Sequence, residues 1–447
     1  MTIKIAFVRP NMFDGRSSDA MEPLVFSILA ARTPETFETV LWDERLEDIP
    51  FDTPVSLIAM TVETYTAKRA YQLAWEFRRR GVPIVMGGYH PTFMPDEVLE
   101  HCDAIVMGDA EGVWEQVLED FMSGQLCRKY DGTTFKPIAS DNQDRSIYHG
   151  KKYAPVNLVQ YGRGCKFNCD FCSIRAFYGS SLRQRSVADI VSEIEQLERK
   201  HIFLVDDNIF VDTQKSRELF HALIPLKKKW SCQVSIDIAQ NSDLVKLMAA
   251  SGCTGALIGF ESLNVDSLRQ MKKGWGVKHQ TYDEAIRVFQ DAGIMIYGTF
   301  VFGYDGDTPD SFKEAVEFAV RNKFLLANFN PLTPTPGAPL YDRLMSENRL
   351  LHDKWWLDET FRYGDATFEP LGMTAQQLTD GCYWARTEFN TYSSIFNRLL
   401  DVRTNINSVT RAGFYLLSNL TSRREIHAKQ GRVLGAANVP MVAGGAL

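Results

Sequence analysis

The sequence predicts an α/β protein: a doubly wound parallel sheet, then a partial (β/α)6 barrel, then a helical C-terminal extension. Short apolar runs alternate with segments of helical periodicity as far as Asn330. Glycines close some of those runs, as Gly87-Gly88 does. A cysteine-rich loop follows directly on the apolar run Asn157–Tyr161. Short buried strands alternating with helices build parallel sheets covered on both faces, and ligands gather at the carboxyl ends of such strands.

In the first domain, residues 1–126, Ile3–Val8, Val55–Thr61, Val82–Gly87 and Ala104–Met107 read as strands. Ala67–Arg80 and Gly112–Met122 have helical periodicity. Residues 127–153 are polar, broken by Gly and Pro, and read as a linker. The barrel occupies residues 154–338. Its strands are expected at Asn157–Tyr161, His201–Val205, Cys232–Ile236, Gly255–Phe260, Met295–Phe302 and Leu325–Asn330. Helices fit between them at Val187–Lys200, Gln214–Lys228, Ser242–Ala250 and Asp310–Asn322. Residues 339–430 turn helical and aromatic, and most of those aromatics are expected in helix core. The Gly/Ala/Val-rich residues 431–447 read as a flexible tail.

With 49 Lys and Arg against 56 Asp and Glu, the chain carries a net charge of −7. That balance argues against a general nucleic-acid binder, which needs a basic footprint. No stretch approaches the roughly 18–20 apolar residues that span a bilayer. Ile3–Val8 is followed by Arg9-Pro10 and reads as a strand, not a secretory segment. Of eight cysteines, five are scattered, which suits a reducing, cytoplasmic location.

The other three, Cys165, Cys169 and Cys172, form C-x3-C-x2-C with Phe171 before the last thiol. Three thiolates on one loop can grip a [4Fe–4S] cluster, leaving one iron open to a small molecule. The spacing differs from ferredoxin runs and from paired C-x2-C zinc units, although a zinc knuckle or three unrelated thiols would share the residues. The loop resembles that of the radical S-adenosylmethionine (SAM) superfamily. The resemblance implies that SAM chelates the open iron and is cleaved reductively to a radical. It also implies an electron donor such as flavodoxin or ferredoxin and a shielded small-molecule substrate.

Further motifs carry the same resemblance. Gly259-Phe260-Glu261-Ser262 matches the family's G-x-E-S beside SAM, with Gly259 permitting close backbone approach. A buried helix N-cap is the structural alternative for Ser262. Asp206-Asp207-Asn208 resembles the cavity-lining D-D-N segment, with Asp207 the SAM-side candidate and an Asx turn the structural alternative. Ser235 and Arg185 are further SAM-contact candidates, Arg185 being as plausible as a surface arginine. Leu332–Gly337, with two prolines, matches the pattern of the B12-associated branch.

The first domain is similar to the Rossmann-like cobalamin (B12)-binding domains fused to such barrels. Its candidate contacts are Thr61, Gly87, Gly88, His90, Gly108 and Glu111, the glycines letting a flat corrin approach the backbone. One departure stands out. Asp43 is followed by Glu44-Arg45, so the D-x-H-x-x-G histidine is missing, and that loop supplies no axial imidazole. His90 is the alternative nitrogen, although His-Pro in a turn is more often structural. Tyr304, Tyr363 and Tyr383 are candidate hydrogen-atom or proton donors. The expected activity is cobalamin-dependent methylation of an unactivated carbon. The rival is cobalamin-independent bond formation, including 3-amino-3-carboxypropyl transfer of the arsinothricin-biosynthesis type. A sensing module would share the domains without turnover.

Overall fold

A computed structural model describes residues 3–134, 143–210, 212–273, 281–437 and 439. Residues 135–142 of the expected linker, and 438 and 440–447 of the expected tail, lie outside them.

The first sheet contains β1 (Ile3–Arg9), β2 (Phe37–Asp43), β3 (Leu57–Thr61), β4 (Ile84–Gly87), β5 (Ala104–Gly108) and β6 (Lys129–Gly132). All pair in parallel, in the order β2-β1-β3-β4-β5-β6. Successive residues face opposite helical layers: Ile5 and Phe7 enter one core cluster, Ala6 and Val8 the other. The two strands the sequence pattern did not disclose are the edges. Glu38 in β2, and Lys129 and Asp131 in β6, break the apolar run, as charged residues do on edge strands. β6 therefore corrects the linker expectation. So does the turn Arg145–Tyr148, whose Tyr148 is buried in the same cluster as Tyr130 and Tyr153.

The second sheet takes β7 (Asn157–Val159), and a short antiparallel ribbon follows of β8 (Gly162–Arg163) and β9 (Arg183–Gln184). The sheet continues with β10 (His201–Leu204), β11 (Lys229–Gln233), β12 (Cys253–Glu261), β13 (Met295–Phe302) and β14 (Leu326–Pro331). Its parallel order is β14-β13-β12-β11-β10-β7, with β14 and β7 as free edges, so the barrel is partial. β11 ends at Gln233, and Ser235 stands beyond it, before the turn Ile236–Gln240. Ile258, Phe260, Phe300, Phe302, Ala327 and Phe329 are buried against the outer helices. The alternating residues Leu257, Tyr297, Thr299, Asn328 and Asn330 keep accessible surface and so face the lumen.

The C-terminal extension binds the two domains. Trp355 and Trp356 lie in turns and are fully buried in the first domain's core, not in a helix of their own. The Trp356 indole donates to Glu97 at 2.9 Å, and that of Trp355 to the Pro334 carbonyl at 3.2 Å. The start of the expected tail is also fixed. Leu434 is buried, Gly435 bridges to Phe13, and Gln72 donates to the carbonyls of Ala436 (2.9 Å) and Val439 (3.0 Å).

Candidate active site

The cysteine loop leaves β8 and enters the helix Ser173–Tyr178. Gly164 opens it at φ +89°, where a side chain would strike the Ser181 carbonyl, and its N–H donates to Asp207 at 2.8 Å. Asp170, between the second and third cysteines, accepts from the Tyr304 hydroxyl at 2.5 Å. Phe171 packs against the barrel core, edge-on to Tyr304 at 6.4 Å. Tyr304 is thus a buried brace for the loop, which corrects its reading as a donor to substrate.

All eight cysteines are free thiols. Burial raises the pKa of Cys165 and Cys172, and that of Cys169 to about 12. As bare thiols they would stay protonated near neutrality, and a cationic centre offsets that cost. Among the described residues no three His, Cys, Asp or Glu side chains converge on one ion. A [4Fe–4S] cube takes each thiolate on a different iron, a donor set that three thiols on one loop supply. The charges of Lys273 and Glu261 reach Cys169, and Asn208 hydrogen-bonds Cys165.

Glu261 adopts φ +63°, uncommon for a side-chain-bearing residue, beside a register shift between β12 and β13. Its carboxylate pairs with Lys273 at 2.5 Å, and the same ammonium donates to the Gly259 carbonyl at 2.8 Å. A Cβ on Gly259 would strike the Glu261 carboxylate. Lys273 escaped the sequence reading because a lone loop lysine has no period. Ser262 turns away from this group: it donates to Asp307 at 3.4 Å and accepts from the Asn264 N–H at 3.0 Å. Asp307 also receives Ser267 and the N–H groups of Gly303 and Tyr304, so Ser262 organises a loop.

Asn208 joins the strand ends. Its oxygen accepts from the Ser235 N–H at 3.1 Å, and its amide donates to the Ser235 hydroxyl at 3.0 Å. Asp207, Ser235 and Glu261 therefore lie close to the cysteine loop. Arg185 does not join them. It is buried, ion-paired with Glu193 at 2.5 Å and hydrogen-bonded to the Gln160 carbonyl at 3.2 Å.

Asp206 is buried, and burial lifts its pKa to about 7 against the pull of the Tyr161 and Gly162 N–H groups. Between pH 4 and 7 the folded carboxyl holds a proton that the unfolded chain has released, so stability falls as pH rises through that window. Asp206→Asn is expected to stabilise the protein by on the order of 2 kcal/mol at pH 8 and by almost nothing at pH 4. Thermal melts at the two pH values check this.

A cavity of about 500 Å³ lies between the carboxyl ends of the first sheet and the barrel mouth. Arg9, Thr61, Glu63, Gly87, Gly88, Gly108 and Glu111 line it from one side, and Gln160, Arg163, Tyr178 and Asp207 from the other. The volume is that of a small-molecule site. The glycines act differently from expectation. A Cβ on Gly88 would meet the Val62 carbonyl at 2.9 Å, and one on Gly108 the Thr133 nitrogen at 2.6 Å. Both, at positive φ, are required by the protein's own backbone; Gly87 alone has ordinary clearance. Glu111 and Asp109 are committed to ion pairs with Arg163 across the two domains.

His90 is not on that wall. It is fully buried, with Nε2 between Tyr71 Oη and Glu97, both at 3.1 Å, and Nδ1 3.4 Å from Thr64. Both nitrogens are engaged in the core, so His90 is no axial ligand. Tyr383 reaches His427 on the surface at 3.2 Å, away from the cavity. Tyr363 sits with its ring 6.0 Å from that of Tyr65.

Tyr65 marks a grouping the sequence did not disclose. It is half-buried, with its ring 4.8 Å from that of Trp355. Its hydroxyl pairs with Thr333 at 3.1 Å, beyond β14. Burial raises its pKa to about 12 although the charge of nearby Arg386 opposes the rise. Arg386 is buried, and among the described residues one guanidinium nitrogen has no partner. Tyr297, close enough to sense Tyr363, bonds Asn328 from the lumen face. Single residues on strand faces, and one arginine on the amphipathic helix Ala375–Phe389, give no sequence signal of this grouping.

Residues 159–319 match the Radical SAM superfamily. The chain is 30% identical over 390 residues to bacteriochlorophyllide d C-12(1)-methyltransferase of Chlorobaculum tepidum, covering 84% of each chain. It is 28% identical to the C-8(2)-methyltransferase of the same organism, over 77% of this chain and 80% of that one. The fold resembles that of the radical SAM methyltransferase TsrM of Kitasatospora setae, solved with cobalamin and a [4Fe–4S] cluster. The TM-score is 0.62 and the identity 17%, over 78% of this chain and 75% of that one. With the cysteine loop, the G-x-E-S strand end and a partial barrel behind a Rossmann-like domain, the chain belongs to the radical SAM superfamily, in its B12-domain branch.

Proposed function

We propose that the protein is a cobalamin-dependent radical SAM methyltransferase acting on an unactivated carbon of a small molecule. The observation that carries this reading is the cavity of about 500 Å³ walled jointly by the first sheet's strand ends and the barrel mouth. It puts a cobalamin-type wall and the SAM side of the barrel around one space. When bound, the cluster and SAM supply the hydrogen-abstracting radical and cobalamin supplies the methyl group.

The chain's own residues do the rest. Cys165, Cys169 and Cys172 hold the cluster. Asp207, Ser235 and the Glu261–Lys273 pair flank SAM. Thr61, Gly87 and Gly108 form the cobalamin wall, with no imidazole contributed by His90. The buried aromatics around Tyr65 exclude water. Flavodoxin or ferredoxin as electron donor, and a cytoplasmic location, complete the reading. Among the described residues no helix is long and apolar enough to cross a membrane.

The test supplies reconstituted enzyme with cobalamin, a reductant, and SAM carrying a deuterated methyl group. S-adenosylhomocysteine, 5′-deoxyadenosine and a deuteromethylated product are expected together. Methylthioadenosine instead would assign aminocarboxypropyl transfer.

Bacteriochlorophyllide d, the compound named for both relatives, is the first substrate to try. Arg386, near Tyr65 and with one guanidinium nitrogen unpartnered among the described residues, would donate to an acceptor group on it. Arg386→Gln is expected to weaken its binding by about tenfold, the worth of one hydrogen bond to a charged group. Absorbance titration of the pigment reads this. Unchanged binding would remove Arg386 from the substrate site.

A further inference from the structure

The last helix, Val409–Lys429, has its polarity reversed. Its buried residues are Tyr415 and Asn419. Tyr415 donates to the Ile395 carbonyl at 2.8 Å, and Asn419 donates to that of Leu325 at 3.0 Å. Asn419 also accepts from Arg398 at 2.9 Å, a fully buried arginine that donates to the carbonyls of Phe324, Leu325 and Phe389. The opposite face is apolar and open: Val409 is 90% exposed, Leu417 67% and Leu420 48%. On the neighbouring helix Tyr392–Leu399, Phe396 is 63% exposed, and Val402 in the joining segment is 74% exposed. A helix packed on a soluble domain ordinarily turns its apolar stripe inward. Scattered apolar residues need no explanation, but a group on two packed helices and their connection marks an interaction surface.

The charge around this face selects the partner. Apart from the buried Arg398, residues 390–432 hold six Lys and Arg against two Asp and Glu, in a chain whose net charge is −7. The outward stripe of the last helix continues at helical spacing from Leu417 and Leu420 to exposed Arg424 and His427. Exposed Arg403, which also reaches Asp401 at 3.3 Å and Asp291 at 3.5 Å, lies at its other end. An apolar centre with basic flanks is the pattern of a helix lying in a membrane interface. A two-fold contact with a second copy would set this basic face against itself. None of these side chains lines the cavity, so the surface is separate from the chemistry.

We propose that this face docks the protein on an anionic phospholipid bilayer, its leucines and phenylalanine at the acyl boundary and its arginines among the headgroup phosphates. The protein lies on the membrane without crossing it. Docking of this kind needs neither the cofactors nor turnover.

The test floats the purified full chain with vesicles of phosphatidylglycerol and phosphatidylcholine, or of phosphatidylcholine alone. Partition is expected to be about tenfold stronger on the anionic vesicles at low salt, and to fall steeply at high salt. Leu417→Ser/Leu420→Ser and, separately, Arg403→Glu/Arg424→Glu are each expected to reduce it by about tenfold or more. Both pairs are solvent-facing, so unchanged melting curves show that the fold is retained; the charge pair keeps the test decisive if the serine pair loosens the helix. No flotation, or flotation indifferent to lipid charge and to both variants, overturns the proposal. A wild-type dimer by light scattering that the serine pair converts to monomer overturns it in favour of a second copy.

Discussion

Cys172→Ala is expected to abolish reductive SAM cleavage, by at least about a thousandfold, or about 4 kcal/mol at 1.36 kcal/mol per factor of ten. Cys172 caps the helix Ser173–Tyr178 and is partly accessible, with its thiol near Cys165. Two thiolates would leave a second iron without a protein ligand, and a cluster held that way is lost to solvent. Iron and sulfide per chain, the cluster's visible absorbance and 5′-deoxyadenosine yield should fall together. Cys127, which is exposed and outside the loop, is the control: Cys127→Ala should keep all three. The loop is anchored independently through Asp170, Tyr304 and Asp207, so the melting temperature of Cys172→Ala should move little. Retention of a full cluster by the variant would refute the assignment of Cys172.

Arg163→Ala is expected to have the largest effect on stability, about 3–5 kcal/mol, the range for removing one partner of a buried ion pair. Arg163 reaches Asp109 at 2.8 Å and also pairs with Glu111; all three side chains are buried or nearly so. Alanine would leave Glu111 with only the charge of Arg32 and strip Asp109 of one of its two arginines. Burial pushes the Glu111 pKa up, but the Arg163 charge and hydrogen bond outweigh it, and the net shift is downward. A lowered carboxylate contributes stability above its unfolded pKa and loses it as pH falls through the folded value. The gap between wild type and variant should therefore be full at pH 7 and close as pH drops below about 4. Because these pairs tie the first domain to the barrel at the cavity wall, bound cobalamin should be lost before the domains unfold. Denaturant melts across pH and corrin absorbance after desalting measure both effects. A double-mutant cycle with Glu111→Gln isolates the pair, and a coupling near zero would show that the pair does not join the domains.

The cluster loop, the barrel and the G-x-E-S strand end were legible because local chemistry announces them. Thiols at short spacing, glycine beside a carboxylate and apolar runs of strand length need no knowledge of distant residues. The edges were not legible: β2 and β6 carry charges that break an apolar pattern, and only pairing with β1 and β5 makes them strands. His90, Arg185 and Ser262 were misread for a shared reason. Each is a polar residue at a strand end or turn, where a ligand contact and a core hydrogen bond look alike in sequence. Their partners, Glu97, Glu193 and Asp307, are 7, 8 and 45 positions away, and nothing local shows that they are taken.

The same limit explains Gly88 and Gly108. Sequence shows that a backbone approaches; it does not show whose. Here the approaching atoms are Val62 and Thr133 of the same sheet. Sequence by itself determined the fold class and the cluster ligands to propose, because periodicity and short-range spacing survive in one dimension; the B12-type pairing of domains came from the family resemblance. Only the tertiary structure decided which charges are already satisfied, that Trp355 and Trp356 knit the extension into the first domain, and that Arg386 and Tyr65 meet near the barrel. It also revealed a last helix that buries polar residues and exposes apolar ones. Burial and hydrogen-bond satisfaction depend on residues brought together from far along the chain, and packing alone reports them.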